Sequence, residues 1–201
     1  MSVKTMGGII AGLLVMVIGG YFVISGSPED LLNADKLSPK QIRIVATRLL
    51  IHDDVKIRAQ ASEKLTAQGA AAVPVLKGIG VTDSNLELRL AVFGVLAGMD
   101  GNAAADILDS LMTDEDPEVR QRAVSAAGYL SHPRAVAVMT KGLGDQESFV
   151  RSTAAGTLGT AGASSAIPAL RAALNDPELP VRKHAARSLK ELTGHDYSYN
   201  K

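Results

Sequence analysis

Five arginines stand 31 residues apart, at Arg58, Arg89, Arg120, Arg151 and Arg182, and four carry an aspartate six residues upstream, at Asp83, Asp114, Asp145 and Asp176. A carboxylate and a guanidinium at fixed spacing could form a catalytic pair. Yet function seldom needs five equal copies of one site, so the recurrence reads as a structural device repeated along an array. The first repeat departs from the pattern, with His52 at that position and Asp53 next to it. The four histidines, His52, His132, His184 and His195, include no i, i+4 pair and no HExxH motif, so they lack the spacing that puts two zinc ligands on one helical face. The chain has no cysteine, which excludes thiol nucleophiles, thiolate metal sites and disulfides. No GxSxG, Walker A or strand-to-helix GxGxxG motif is present. The glycine-rich stretch Gly156 to Gly162 contains Leu158 at an apolar position of the repeat and reads as a helix end. The expectation is a non-enzyme without cofactor or metal.

Composition narrows the field further. Twenty-one basic and twenty-one acidic residues cancel, and aromatics make up 3 % of 201 residues with no tryptophan. No whole-chain field steers it to a polyanion, and the aromatic platforms that stack single-stranded nucleic acid are missing. Nucleic acid is therefore not expected as a partner.

What positions the arginines is a repeated helical pattern. The residue before each arginine is aliphatic (Ile57, Leu88, Val119, Val150, Val181), three after come Ala61, Val92, Ala123, Ala154 and Ala185, and seven after come Leu65, Leu96, Ala127, Leu158 and Leu189. Offsets −1, +3 and +7 share one face of an amphipathic helix. A second apolar stretch lies upstream, with offsets −12 and −8 at Ala46/Leu50, Leu108/Met112, Met139/Leu143 and Leu170/Leu174. In the second unit it is shifted by one, Leu76 standing 13 before Arg89. Turn signals separate the stretches at Gly69, Asp100-Gly101, Ser131-His132-Pro133, Gly162 and Asp176-Pro177. Each unit is thus helix A, a turn carrying Asp, helix B carrying Arg, and a turn. One hairpin cannot bury both faces, so five must stack.

The runs Asp116-Pro117-Glu118-Val119-Arg120 and Asp176-Pro177-Glu178, with Val181-Arg182 and Ala185 following, resemble bacterial HEAT-like repeats of the type also found in phycobilisome lyases. Ala166-Ile167-Pro168-Ala169-Leu170 resembles that family's helix A, and Leu192 to Tyr197 the tail that closes such arrays. The resemblance covers residues 39–197 and implies an all-α, right-handed α-solenoid of about five hairpins. It also implies that Asp and Arg form a ladder between adjacent repeats and that B helices line the concave side.

Offsets +1, +5 and +8 point away from the −1/+3/+7 face. They mark Leu90, Gln121, Ser125 and Ser152, with Phe93, Tyr129 and His184 nearby, as candidate partner-binding residues.

From Thr5 to Pro28 no side chain is charged, and Gly7 to Ser25 is almost wholly apolar. About 20 helical residues cross a hydrocarbon core, so residues 1–25 are expected to form one transmembrane helix. Gly8, Gly12 and Gly20 form a small-residue stripe suited to helix packing in lipid. Residues 26–37 read as a linker, 38–197 as the repeat domain and 198–201 as a tail. The short leader favours a signal anchor in a bacterial inner membrane, with the repeats outside the cytoplasm. The leading functional expectation is a membrane-anchored, non-catalytic protein–protein interaction scaffold, in its more specific form an accessory subunit of a larger membrane complex, with other subunits and membrane lipid as partners. The alternative is a HEAT-like lyase or cofactor-attachment factor.

Overall fold

The computed structural model describes residues 14–18, 21–25, 27–99 and 101–199. Among them are ten α-helices in five hairpins. Helix A and helix B of the successive repeats are α1 (Pro39–Ile44) and α2 (Val55–Ala67), α3 (Val73–Thr82) and α4 (Leu86–Gly98), α5 (Asn102–Leu111) and α6 (Pro117–Ala127), α7 (Pro133–Gly142) and α8 (Ser148–Thr160), and α9 (Ile167–Ala173) and α10 (Leu179–Thr193). A π-helical turn, Val45–Leu49, prolongs α1. The array matches the all-helical solenoid expected from the 31-residue period.

Local chemistry accounts for the helix ends. Ser38 and Gln41 form a reciprocal capping box ahead of Pro39, which supplies two orphan amides with partners. Asp54 and Asp116 cap α2 and α6 by accepting from the amides of Lys56 and Glu118. Gly194 ends α10 at φ +75°, a left-handed conformation that glycine adopts without a Cβ clash.

Each B helix packs on the B helix of the next repeat, and α1, α3, α5 and α7 stack likewise. The faces read from the spacing are the buried ones. All five residues at +3 and all five at +7 have no exposed surface. Small residues at +3 let the helices approach: a Cβ on Gly142 of α7 would lie 3.0 Å from Ala154 Cβ of α8. Leu108, Met139 and Leu170 of the A helices fill the same continuous core.

The N-terminal expectation is corrected. Leu14–Ile18 and Tyr21–Ser25 are antiparallel strands, β1 and β2, with Leu14 opposite Ser25 and Ile18 opposite Tyr21. Among the described residues no helix is long and apolar enough to cross a membrane. The physical reason is local: Val15, Val17 and Ile18 on one side and Tyr21, Phe22, Val23 and Ile24 on the other are β-branched and aromatic strand formers. Gly8, Gly12 and Gly20 lie outside the described residues. Part of the stretch read as a linker is folded. Pro28–Asn33 forms a 3₁₀ helix that packs on the π-turn and α2, burying Leu31.

Candidate functional site

The repeated Asp and Arg meet across repeats. Arg120 donates from Nε and Nη2 to both carboxylate oxygens of Asp145, at 2.7 and 2.9 Å. Arg151 does the same to Asp176, at 2.7 and 3.1 Å. The third edge of each arginine stays in its own repeat: Nη1 of Arg58, Arg89, Arg120, Arg151 and Arg182 donates to the carbonyl six residues upstream. Each aspartate also shapes its turn, since Asp83, Asp114, Asp145 and Asp176 accept from the amide two residues on. One guanidinium therefore holds its own A–B turn and the next turn together, a task suited to its planar fork. Burial raises the pKa of Asp145 and Asp176, but hydrogen bonds from the arginine and the following amide outweigh it, and both carboxyls end below the ordinary range.

Toward the N-terminus the ladder opens. Arg89 Nη2 is 3.6 Å from Asp114, and its buried Nε has no hydrogen-bond partner. Between Arg58 and Asp83 there is no ion pair among the described residues. The second repeat also differs in its turn. Helices α5, α7 and α9 end three residues before their aspartates, whereas α3 runs on to Thr82 and Asp83 becomes its cap, donating its amide to Ile79.

A second set of bonds joins consecutive B helices, from offset +1 to offset +2 of the next repeat. Gln121 Nε2 donates to Thr153 Oγ1 at 2.9 Å, and Ser152 Oγ lies 2.7 Å from His184 Nδ1. These expected partner-binding residues are thus engaged inside the chain: Ser152 is buried, and His184 is exposed but bonded. Phe93 is buried in the core, Ser125 is half-buried, and Tyr129 is exposed at the end of α6.

In the first two joints the same seam positions are Ala59 against Ala91 and Leu90 against Arg122, which cannot form such bonds. There a shallow trough opens across α2, α4 and α6, floored by Ala59, Leu90, Ala91 and Gly94 and walled by Leu50, Ile51 and Val55. Val55 is 65 % exposed. Arg58, Glu87 and Arg122 supply its charge. Of the seven expected contact residues only Leu90 lines the trough. Val55 and Arg58 also line the trough and were not among the expected contact residues. A separate, more polar groove between α8 and α10 is lined by Ser152, Thr157, His184, Arg187 and Glu191. Among the described residues no three metal-ligating side chains come together.

A family model for HEAT repeats matches residues 105–190. No curated protein matches the sequence. Among solved structures the chain is similar to human deoxyhypusine hydroxylase, at 18 % identity over 84 % of this chain and 78 % of that one, with a TM-score of 0.56. It is also similar to the complex of CpcE and CpcF of phycocyanin lyase from Nostoc, at 22 % identity, covering 80 % and 66 %, with a TM-score of 0.54. For Cex1p the identity is 18 %, the coverage 78 % and 35 %, and the TM-score 0.56. At such identities the likeness shows the fold alone. It nonetheless corrects the expectation of a non-enzyme: a hydroxylase and a lyase share this solenoid, so missing sequence motifs do not separate a scaffold from a catalyst.

Proposed function

We propose that this HEAT-repeat chain is a protein-binding scaffold whose docking surface is the trough across α2, α4 and α6. One observation carries the reading. The seam positions that bond Gln121 to Thr153 and Ser152 to His184 are occupied near the N-terminus by Ala59, Leu90 and Ala91, half-buried or exposed in an open trough. Apolar side chains released from an internal role and left near water gain by covering. A helix or extended segment of another protein lies close on such a floor, because Ala59 and Gly94 are small.

The uncharged run from Thr5 to Pro28 supports a tether to membrane lipid beside a partner, with the chain an accessory subunit of a membrane complex. A bacterial inner membrane, with repeats outside the cytoplasm, is the corresponding location. The domain plan is an apolar N-terminal segment, the repeats and a short tail. A photo-crosslinking side chain tests the docking surface. Placed at Gly94 in the full chain in its native membranes, it is expected to capture a discrete partner. Placed at Lys77 of α3, outside the trough, it is expected to capture none. Equal labelling from both sites would refute the trough.

A further inference from the structure

Resting on that reading, we infer that the trough takes an acidic, apolar segment of its partner, with a carboxylate held by the open edge of Arg58. Arg58 spends Nη1 on the carbonyls of His52 and Asp53, at 2.6 and 2.9 Å. In Arg120 and Arg151 the remaining Nε and Nη2 edge is closed by the aspartate of the next repeat. On Arg58 that edge has no ion-pair partner among the described residues, and Asp83, the corresponding aspartate of the next repeat, is the C-cap of α3. The chain thus shows twice what the edge binds, closes it only loosely on Arg89, and on Arg58 leaves it without an ion pair among the described residues, beside Val55, Ala59 and Leu90. A planar fork prefers a carboxylate bound through both oxygens.

The other charges in the trough sharpen the preference. Arg122 is half-engaged with Glu118 of its own helix, at 3.5 Å, and adds positive potential across the floor. Glu87 is the one acidic group lining the trough; it disfavours a partner acid on its side and so sets the direction in which the segment lies. A carboxylate on Arg58 with an aliphatic residue on Val55 and Leu90 satisfies both the open donors and the uncovered floor.

Three fluorescein-labelled peptides of equal length, with the same leucines and with Glu, Gln or Lys between them, test this by anisotropy on the full chain. The Glu peptide is expected to bind about ten-fold more tightly than the Gln peptide, and the Lys peptide more weakly still. High salt should narrow the gap. Arg58→Lys, which keeps the charge but loses the fork, is expected to remove most of the Glu preference. Arg134→Gln, an exposed cation on α7 paired with Asp106, should leave it intact. Should Arg58→Lys fail to fold by its thermal melt, the Glu-to-Gln ratio on the native chain decides. Equal affinity of the Glu and Gln peptides, both lost in Leu90→Asp, would overturn the carboxylate inference and leave the trough as the docking surface. Binding of no peptide, or binding indifferent to Leu90→Asp, would overturn both.

Discussion

Gly159 of α8 lies so close to Ser188 of α10 that a Cβ on it would stand 2.4 Å from Ser188 Oγ and 2.8 Å from its Cα. Ser188 Oγ in turn donates to the carbonyl of Ala155 at 2.7 Å. The two backbones are thus nearly in contact, and the clash falls on main chain that no rotamer change relieves. Gly159→Ala is therefore expected to cost about 1–3 kcal/mol, the range for overpacking. Gly156→Ala, three residues away, would place its Cβ 3.7 Å from His184 Cδ2, an ordinary contact. It should be neutral or stabilise by up to about 1 kcal/mol, as alanine gains over glycine inside a helix. Urea melts of the two variants check the contrast; equal shifts would mean that α8 and α10 do not cross at Gly159.

The Arg120–Asp145 pair predicts a pH signature. Both side chains are 6 % exposed, and the Asp145 carboxyl is held below its ordinary value. A depressed folded pKa gives stability that is present above the unfolded value, about 3.9, and is lost as pH falls through the folded value. Asp145→Asn should cost about 1.5–3 kcal/mol at pH 7, the scale of a hydrogen bond to a charged group. Its deficit should shrink as acid protonates the native carboxylate. Chemical denaturation at neutral and strongly acidic pH measures this, and a deficit constant across that range would contradict the assignment. Glu118→Gln, from an exposed pair, should change stability within about 0.5 kcal/mol.

Ser152 separates a seam residue from a docking residue. At 9 % exposure and bonded to His184, it has no room for a charge. Ser152→Asp should destabilise the array by about 1–3 kcal/mol through desolvation and loss of the bond. Leu90→Asp, at a half-buried trough position, should cost less stability yet abolish docking. Thermal melts run beside the crosslinking assay distinguish them. If Ser152→Asp melts with the native chain while Leu90→Asp unfolds, seam and trough have been exchanged.

The repeated faces were legible because every unit solves the same burial problem. Ala123 and Leu158 recur at +3 and +7 and end fully buried, so period and core follow from one another. The bonding of Ser152 was hidden for a different reason. Which offsets meet across B helices depends on how neighbouring repeats are displaced, and the spacing inside one repeat does not encode that displacement. The shift of Leu76 was visible, but its consequence required knowing that α3 would run on to Thr82 and turn Asp83 into a cap. At the N-terminus hydropathy and run length pointed to one spanning helix, and the strand propensity of Val15, Val17, Val23 and Ile24, which pair in β1 and β2, carried no weight in that reading.

Membrane attachment by the N-terminal segment is the last prediction. Between Thr5 and Pro28 no side chain bears charge, so transfer of the run into lipid carries no ionic penalty, but the open edges of a lone β1–β2 pair cannot be satisfied in hydrocarbon, so insertion requires the run to become helical in the membrane. The full chain is therefore expected to float with vesicles and to stay with membranes after carbonate treatment. Val17→Asp introduces one carboxylate into the run at a cost of about 2.5–3.5 kcal/mol if it must enter the apolar core. That is about sixty- to three-hundred-fold in partition, since each 1.4 kcal/mol is a factor of ten. The variant should move to the soluble fraction with the repeats still helical, because the described core runs from Leu31 to Leu189. Retention of Val17→Asp at the native level would show that the run does not enter lipid, and attachment would then have to come from a bound protein at the trough.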